Sequence, residues 1–171
     1  NCCEVVIADP SQLRCALGGT IDHAHSVRFS KLCARNYPVV AINGDFYNHR
    51  EGSYIVKQSQ LMQDTNTSIL DLCIIDYNGD MKIYSVDEKV QGVAENLGNI
   101  YQAISFGPAL VRDGVMQLPR EGYIGDPKRD NPRAALGQLG PLHYLLVVVD
   151  GRTEYSKGID ITTLAAFMTS K

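Results

Sequence analysis

Four segments of this chain set an apolar run beside glycine and a polar or charged residue. The first is Val39-Val40-Ala41-Ile42-Asn43-Gly44-Asp45-Phe46-Tyr47. The others are Ser105-Phe106-Gly107-Pro108, Asn131-Pro132-Arg133-Ala134-Ala135-Leu136-Gly137 and Val147-Val148-Val149-Asp150-Gly151-Arg152. Asp45 and Asp150 supply carboxylates, the groups that activate water or steady a developing positive charge. Arg133 and Arg152 supply forked donors whose geometry matches phosphate oxygens. Each segment also has a dull explanation. Asn-Gly and Asp-Gly make turns, Gly-Pro ends strands, and either arginine can form an internal salt bridge with Asp45 or Asp150.

Such residues act only if rigid elements hold them. Three of the four residues Val39 to Ile42 are β-branched, which predicts a strand buried on both faces that delivers Asp45 at its carboxyl end. Ala103 to Phe106 and the very apolar His143 to Val149 read as two more buried strands. The shared pattern predicts that the carboxyl ends of all three lie close together. Around them, Cys3 to Ala8 is β-rich, Leu13 to Leu17 alternates like a strand, and His23 to Asn36 has helical periodicity closed by Asn36 and Pro38. Ser53 to Val56 reads as a short strand and Gln58 to Ser68 as a loop. Ile69 to Asp76 and Met81 to Ser85 flank an Asn78-Gly79 hairpin turn. Val90 to Ile100 reads as a short helix or irregular chain. Ala109 to Arg112 and Val115 to Leu118 flank Asp113-Gly114. Pro119 to Pro132 reads as a long loop, Arg133 to Gln138 as renewed order, and Thr162 to Met168 as a helix capped by Asp160 or Thr162. Many strands with few helices predict one α+β domain over residues 1–171, mixed in type and built on a β-sheet core.

Composition narrows the function. The chain has 171 residues, enough for one domain with a real core. A net charge of −3 gives no global basic field, which argues against nucleic acid as a partner. No run approaches the roughly 18 apolar residues of a membrane span. Five cysteines in no metal-like spacing argue against a closed disulfide framework. Cys15, Cys33 and Cys73 read as buried small hydrophobes. Cys2-Cys3 reads as alternating strand residues, with a bridge to another segment or chain as the other option. His23-x-His25 is too sparse to hold a metal by itself, so no metal ligands are assigned. Asn1 reads as a processed or trimmed start.

In order and spacing, Ala-Ile-Asn-Gly-Asp-Phe-Tyr, Ser-Phe-Gly-Pro-Ala-Leu-Val-x-Asp-Gly, Pro-Arg-x-Ala-x-Gly-Gln and Val-Asp-Gly-Arg form one signature. Gly158 and a Thr-Leu-x-x-x helix follow them. The set resembles the phosphodiester glycosidase domain family, from about Ser26 to Met168. The resemblance implies a hydrolase that cleaves a sugar, of N-acetylglucosamine type, from a glycosyl-1-phosphodiester in a glycan or glycoconjugate. It implies Asp45, Asp150, Arg133 and Arg152 as catalytic candidates. It implies Asn43, Gly44, Ser105, Phe106, Gly107 and Gly151 as substrate-binding candidates. No cofactor is firmly implied, although carboxylates facing phosphate suit Ca²⁺ or Mg²⁺. The resemblance also implies an extracytoplasmic location, secreted or in the cell envelope, and a bacterial source. Two alternatives stay open: a cell-wall or exopolysaccharide glycosidase that needs no phosphodiester, and a glycan-binding module without catalysis.

In that family the helix near Thr162 leads into a further strand and an Asn-Leu-Asp-Gly-Gly-Gly-Ser-Ser-like loop. Here the apolar pattern still runs at Met168, and Lys171 is the last residue. The resemblance therefore implies a domain that is incomplete at its C-terminal end. Such a domain is expected to pair with a further segment, to form a homo-oligomer, or to be a trimmed part of a longer protein.

Overall fold

A computed structural model describes residues 1–19, 25–44, 52–118 and 127–171 of the chain. The fold is α+β, as the sequence predicts, and its strands fall into two main antiparallel sheets. The larger sheet has the order β3-β2-β6-β4-β5. These strands are β2 (Tyr54–Lys57), β3 (Gln60–Asp64), β4 (Asp71–Asp76), β5 (Met81–Tyr84) and β6 (Ile100–Phe106). Ile74 faces Ala103, and Ala103 faces Val56, so three fully buried side chains meet on one side of the sheet. Helix α2 (Lys89–Glu95) covers that side through Val93. Gly92 lets it come close, because a Cβ there would lie 2.5 Å from the Tyr84 ring.

The smaller sheet has the order β1-β10-β9, with β1 (Cys2–Val6), β9 (Arg133–Gly140) and β10 (His143–Val149). Leu145 and Val147 of β10 form a second core with Leu164 of α3 (Ile161–Thr169), and Ala135, Phe167 and Met168 pack against it. The two sheets meet at the β4–β5 turn. There the Gly79 carbonyl accepts the Tyr144 hydroxyl at 2.5 Å and Gln138 Nε2 at 3.0 Å. Gln138 Oε1 in turn accepts from Met81 N at 2.7 Å. Two short strands, β7 (Val111–Arg112) and β8 (Val115–Met116), form the predicted Asp113-Gly114 hairpin.

Several sequence expectations need correction. Val39 to Ile42 is not a strand: it lies outside both sheets, with Val39 fully exposed and Val40 40% exposed. Its β-branched residues suit a sheet, but a strand exists only through pairing with a neighbour, and this segment pairs with neither sheet. Leu13 to Leu17 is irregular after a 3-10 turn at Pro10–Gln12. Side chains rather than a ladder hold it: Gln58 Oε1 accepts from Cys15 N at 2.8 Å, and Gln102 Nε2 donates to Leu13 O at 3.1 Å. Gln58 to Ser68 contains β3, reached through a tight turn in which Gln58 and Ser59 both take positive φ, 44° and 66°. Among the described residues the first helix, α1, spans Phe29–Asn36 and ends on Tyr37 in the left-handed conformation, while the expected start at His23 lies outside them. Cys2 and Cys3 are exposed neighbours on β1, while burial, reinforced by Cys15, pushes the Cys73 thiol up to about 12.

Candidate functional site

Register brings two of the motifs together. Val149, the last residue of β10, pairs with Arg133, the first of β9. Asp150-Gly151-Arg152 therefore leaves the sheet beside Asn131-Pro132. The contact is tight. A Cβ on Gly151 would lie 2.6 Å from Pro132 N, and one on Gly158 would lie 2.3 Å from both the carbonyl carbon and oxygen of Asn131. Gly158 also has φ +107°, which L side chains rarely adopt. These glycines let residues 150–159 fold back until Asn131 and Ile159 form a β-bridge, with Asn131 N donating to Ile159 O at 3.3 Å and Ile159 N to Asn131 O at 3.0 Å. Within the loop, Ser156 Oγ donates to Asp150 O at 2.6 Å. Beyond it, Asp160 caps α3 by accepting from Thr163 N at 3.0 Å. Hydrogen bonds from the Thr163 side chain and backbone hold that carboxyl below its ordinary value.

Both arginines are anchored on this bridge. Arg133 Nε donates to Ile159 O at 3.2 Å, and its Nη2 donates to Arg129 O at 3.0 Å. Arg152 Nη2 donates to Asn131 Oδ1 at 2.9 Å. The Arg152 acceptor is an amide oxygen, which orients the guanidinium without cancelling its charge. Neither arginine forms an ion pair with Asp150, so that version of the internal salt bridge is not made. Arg152 itself is held at φ +59°. For a side chain of this size such a conformation costs on the order of 1–3 kcal/mol, and strain of that kind gathers at functional sites. Arg133 is half-buried, whereas Asp150 and Arg152 are exposed. Two cations and one carboxylate thus lie on neighbouring turns at one end of the smaller sheet.

The remaining candidates are placed differently. Asp45 lies outside the described residues. Asn43 and Gly44 are exposed, and no described hydrogen bond ties them to the arginine-bearing turns. The clustering of three strand ends is therefore not seen among the described residues, because Val39 to Ile42 forms no strand. Ser105 is 4% exposed, and its hydroxyl is committed to β2: it donates to Tyr54 O at 2.8 Å and accepts from Tyr54 N at 3.0 Å. Its observed role is to tie two strands, not to meet solvent. Phe106 is the last residue of β6, and the Gly107–Pro108 peptide that follows is cis. Beside them opens a polar cavity of about 140 Å³ lined by Asp71, Ser85, Arg112 and Gln117. At its rim Glu88 is held far below the usual carboxylate range, at about 2, by the Ser85 backbone N–H, the Ser85 hydroxyl and Arg112. Among the described residues no three His, Cys, Asp or Glu side chains form a metal-holding group. Sequence reasoning passed over Asn131, Arg129 and Ile159. Asn131 stands inside a quoted motif, but its tether depends on strand register, and the carbonyls of Arg129 and Ile159 carry no side-chain signal.

The phosphodiester glycosidase family model matches residues 36–170, which include the bridge, both arginines and α3. The chain belongs to the phosphodiester glycosidase family. Among solved structures, it is similar to the catalytic domain of zebrafish N-acetylglucosamine-1-phosphodiester α-N-acetylglucosaminidase, auto-inhibited by its pro-peptide. The TM-score is 0.52 and the identity 17%, over 75% of this chain and 45% of that one. At this identity the likeness shows a shared fold. The chain spans less than half the length of that phosphodiester glycosidase structure. No curated protein matches the chain significantly in sequence.

Proposed function

We propose that this phosphodiester glycosidase hydrolyses a glycosyl-1-phosphodiester, releasing a sugar of N-acetylglucosamine type. One observation carries the reading: two arginines stand on a single bridge, tied there to Ile159 O, Arg129 O and Asn131 Oδ1. The substrate's phosphodiester is an anion, and two forked cations on neighbouring turns match its non-bridging oxygens. Water adds to the anomeric carbon, and the bond from that carbon to the phosphate oxygen breaks. The electron pair stays with oxygen, giving a free sugar and a phosphomonoester. The leaving group's second pKa is about 6, so it departs with little need of a general acid, unlike a sugar alcohol. Arg133 and Arg152 stabilise the charge that gathers on it. The exposed Asp150 carboxylate is the described group suited to activate the water or shield the oxocarbenium-like centre, and Asp45 shares that candidacy from sequence. A substrate found in glycans or glycoconjugates suits a secreted or cell-envelope location.

Product analysis tests the proposal. Purified protein incubated with an N-acetylglucosamine-1-phosphodiester is expected to release sugar and phosphomonoester in equal amounts. It is expected to leave the corresponding phosphate-free glycoside intact. Hydrolysis of the plain glycoside at the same rate, or of neither compound, would overturn the reading.

A further inference from the structure

Arg152 and Asn131 are 21 residues apart in sequence, yet they meet because β10 ends where β9 begins. The pair has three features that simple packing does not need. Arg152 takes a left-handed backbone conformation although it is not glycine. Its guanidinium is exposed, so the hydrogen bond to Asn131 Oδ1 at 2.9 Å organises a surface cation and fills no core. Asn131 also holds the loop by its main chain, exchanging two hydrogen bonds with Ile159, whose carbonyl orients Arg133. One residue thus fixes one arginine through its side chain and the other through its bridge partner.

The chemistry of the acceptor is informative. A carboxylate in place of the amide would hold Arg152 more tightly, since a charge-assisted pair is stronger than a neutral one. It would also neutralise the guanidinium and place a negative charge where an anion must bind. Asn keeps the geometry of Asp without the charge. No carboxylate among the described residues pairs with Arg152. The arrangement therefore favours orientation with the positive charge retained over maximal local stability.

We infer that Asn131 is a positioning residue for anion binding: its neutral amide oxygen aims the Arg152 guanidinium at the phosphate while leaving its charge available. This rests on the phosphodiester reading above, and it assigns a role to a residue outside the catalytic candidates. Two predictions separate it from a structural role. Asn131→Asp keeps the shape and the bond to Arg152, now charge-assisted, and gives up only the long 3.4 Å bond from Asn131 Nδ2 to Arg129 O, so stability should stay near the parent's while anion affinity falls. Asn131→Ser shortens the side chain and adds no charge, so it should loosen Arg152 and give a smaller loss.

The test measures the Kd of inorganic phosphate by calorimetry, KM and kcat on the N-acetylglucosamine-1-phosphodiester, and the melting temperature, for parent, N131D and N131S. For N131D the expected result is a roughly 10- to 100-fold rise in Kd and KM, the loss of one contact to a charged group, with a melting temperature near the parent's. N131S should raise Kd only a few-fold. Phosphate binding by N131D at the parent affinity would overturn the inference. So would equal losses in both variants that track a lowered melting temperature, because Asn131 would then be structural only. If N131D does not fold, N131S decides: a raised Kd at parent stability supports the role, and an unchanged Kd refutes it. A parent that hydrolyses the phosphodiester while N131D does so equally well sinks this inference alone. A parent that neither binds phosphate nor hydrolyses the substrate sinks the functional reading and this inference with it.

Discussion

Replacing Gly158 with alanine should damage the arginine-bearing bridge directly. Two costs combine. At φ +107° alanine occupies a region that is essentially glycine-only, at on the order of 1–3 kcal/mol. The new Cβ would also stand 2.3 Å from the carbonyl carbon and oxygen of Asn131 and 2.6 Å from its nitrogen. These are backbone atoms, so the bridge itself must move, and overpacking of this kind adds roughly 1–3 kcal/mol. A total of about 3 kcal/mol lowers the melting temperature by about 6–12 °C in a chain of this size. The same shift displaces Ile159 O from Arg133 and Asn131 Oδ1 from Arg152, so phosphate affinity should fall with stability. Gly98→Ala is the control for the conformational cost, since φ is +83° but nothing lies within 4 Å. It should lose about half as much. Gly140→Ala, with open space and an ordinary backbone, should melt like the parent. Scanning calorimetry of the four proteins gives the ranking. If Gly158→Ala melts within about 2 °C of Gly98→Ala, the tight bridge is wrong.

Other consequences follow from the same contacts. Arg133→Ala should raise KM for the phosphodiester about 10- to 100-fold at near-parent melting temperature, and Arg133→Lys should recover only part, because lysine lacks the fork. Parent-like rates in both variants would remove Arg133 from the site. Ser105→Ala should cost about 1–3 kcal/mol by orphaning the Tyr54 backbone N–H, with kcat and KM unchanged in the folded protein. A raised KM at parent stability would instead make Ser105 a ligand. Glu88 sits at about 2 against an ordinary 4.5, so its contribution to stability is present above pH 4.5 and is lost as pH falls toward 2. The melting-temperature gap between parent and Glu88→Gln should therefore close across that window, and a gap that stays constant down to pH 2.5 would contradict the Ser85 and Arg112 contacts.

What could be read from the sequence was local chemistry. The Asn78-Gly79 and Asp113-Gly114 hairpins carry their own turn signals, and His143 to Val149 is apolar enough to announce a buried strand. Strand β3 carried no such signal. Gln60-Leu-Met-Gln-Asp64 has no β-branched residue, and its turn is made by Gln58 and Ser59, which seldom take positive φ. Tertiary contacts compensate: Gln58 N donates to Gln102 Oε1 at 3.1 Å, and Gln102 Nε2 to Gln58 Oε1 at 3.0 Å. Val39 to Ile42 failed in the opposite sense, because apolar composition signals a capacity for burial and says nothing of a partner edge. At the site, the arginines were visible as residue types. Their tethers were not, since Asn131 reaches Arg152 only through the pairing of Val149 with Arg133.

The central claim is that Arg133 and Arg152 hold the phosphate of a departing phosphomonoester while water attacks the sugar. Hydrolysis of an N-acetylglucosamine-1-phosphodiester in ¹⁸O-labelled water, with both products weighed by mass spectrometry, tests it most directly. The label is expected on the anomeric oxygen of the free sugar, with the phosphomonoester unlabelled. Label in the phosphomonoester would mean attack at phosphorus, and no release of either product would mean that the arginine-bearing bridge serves another purpose.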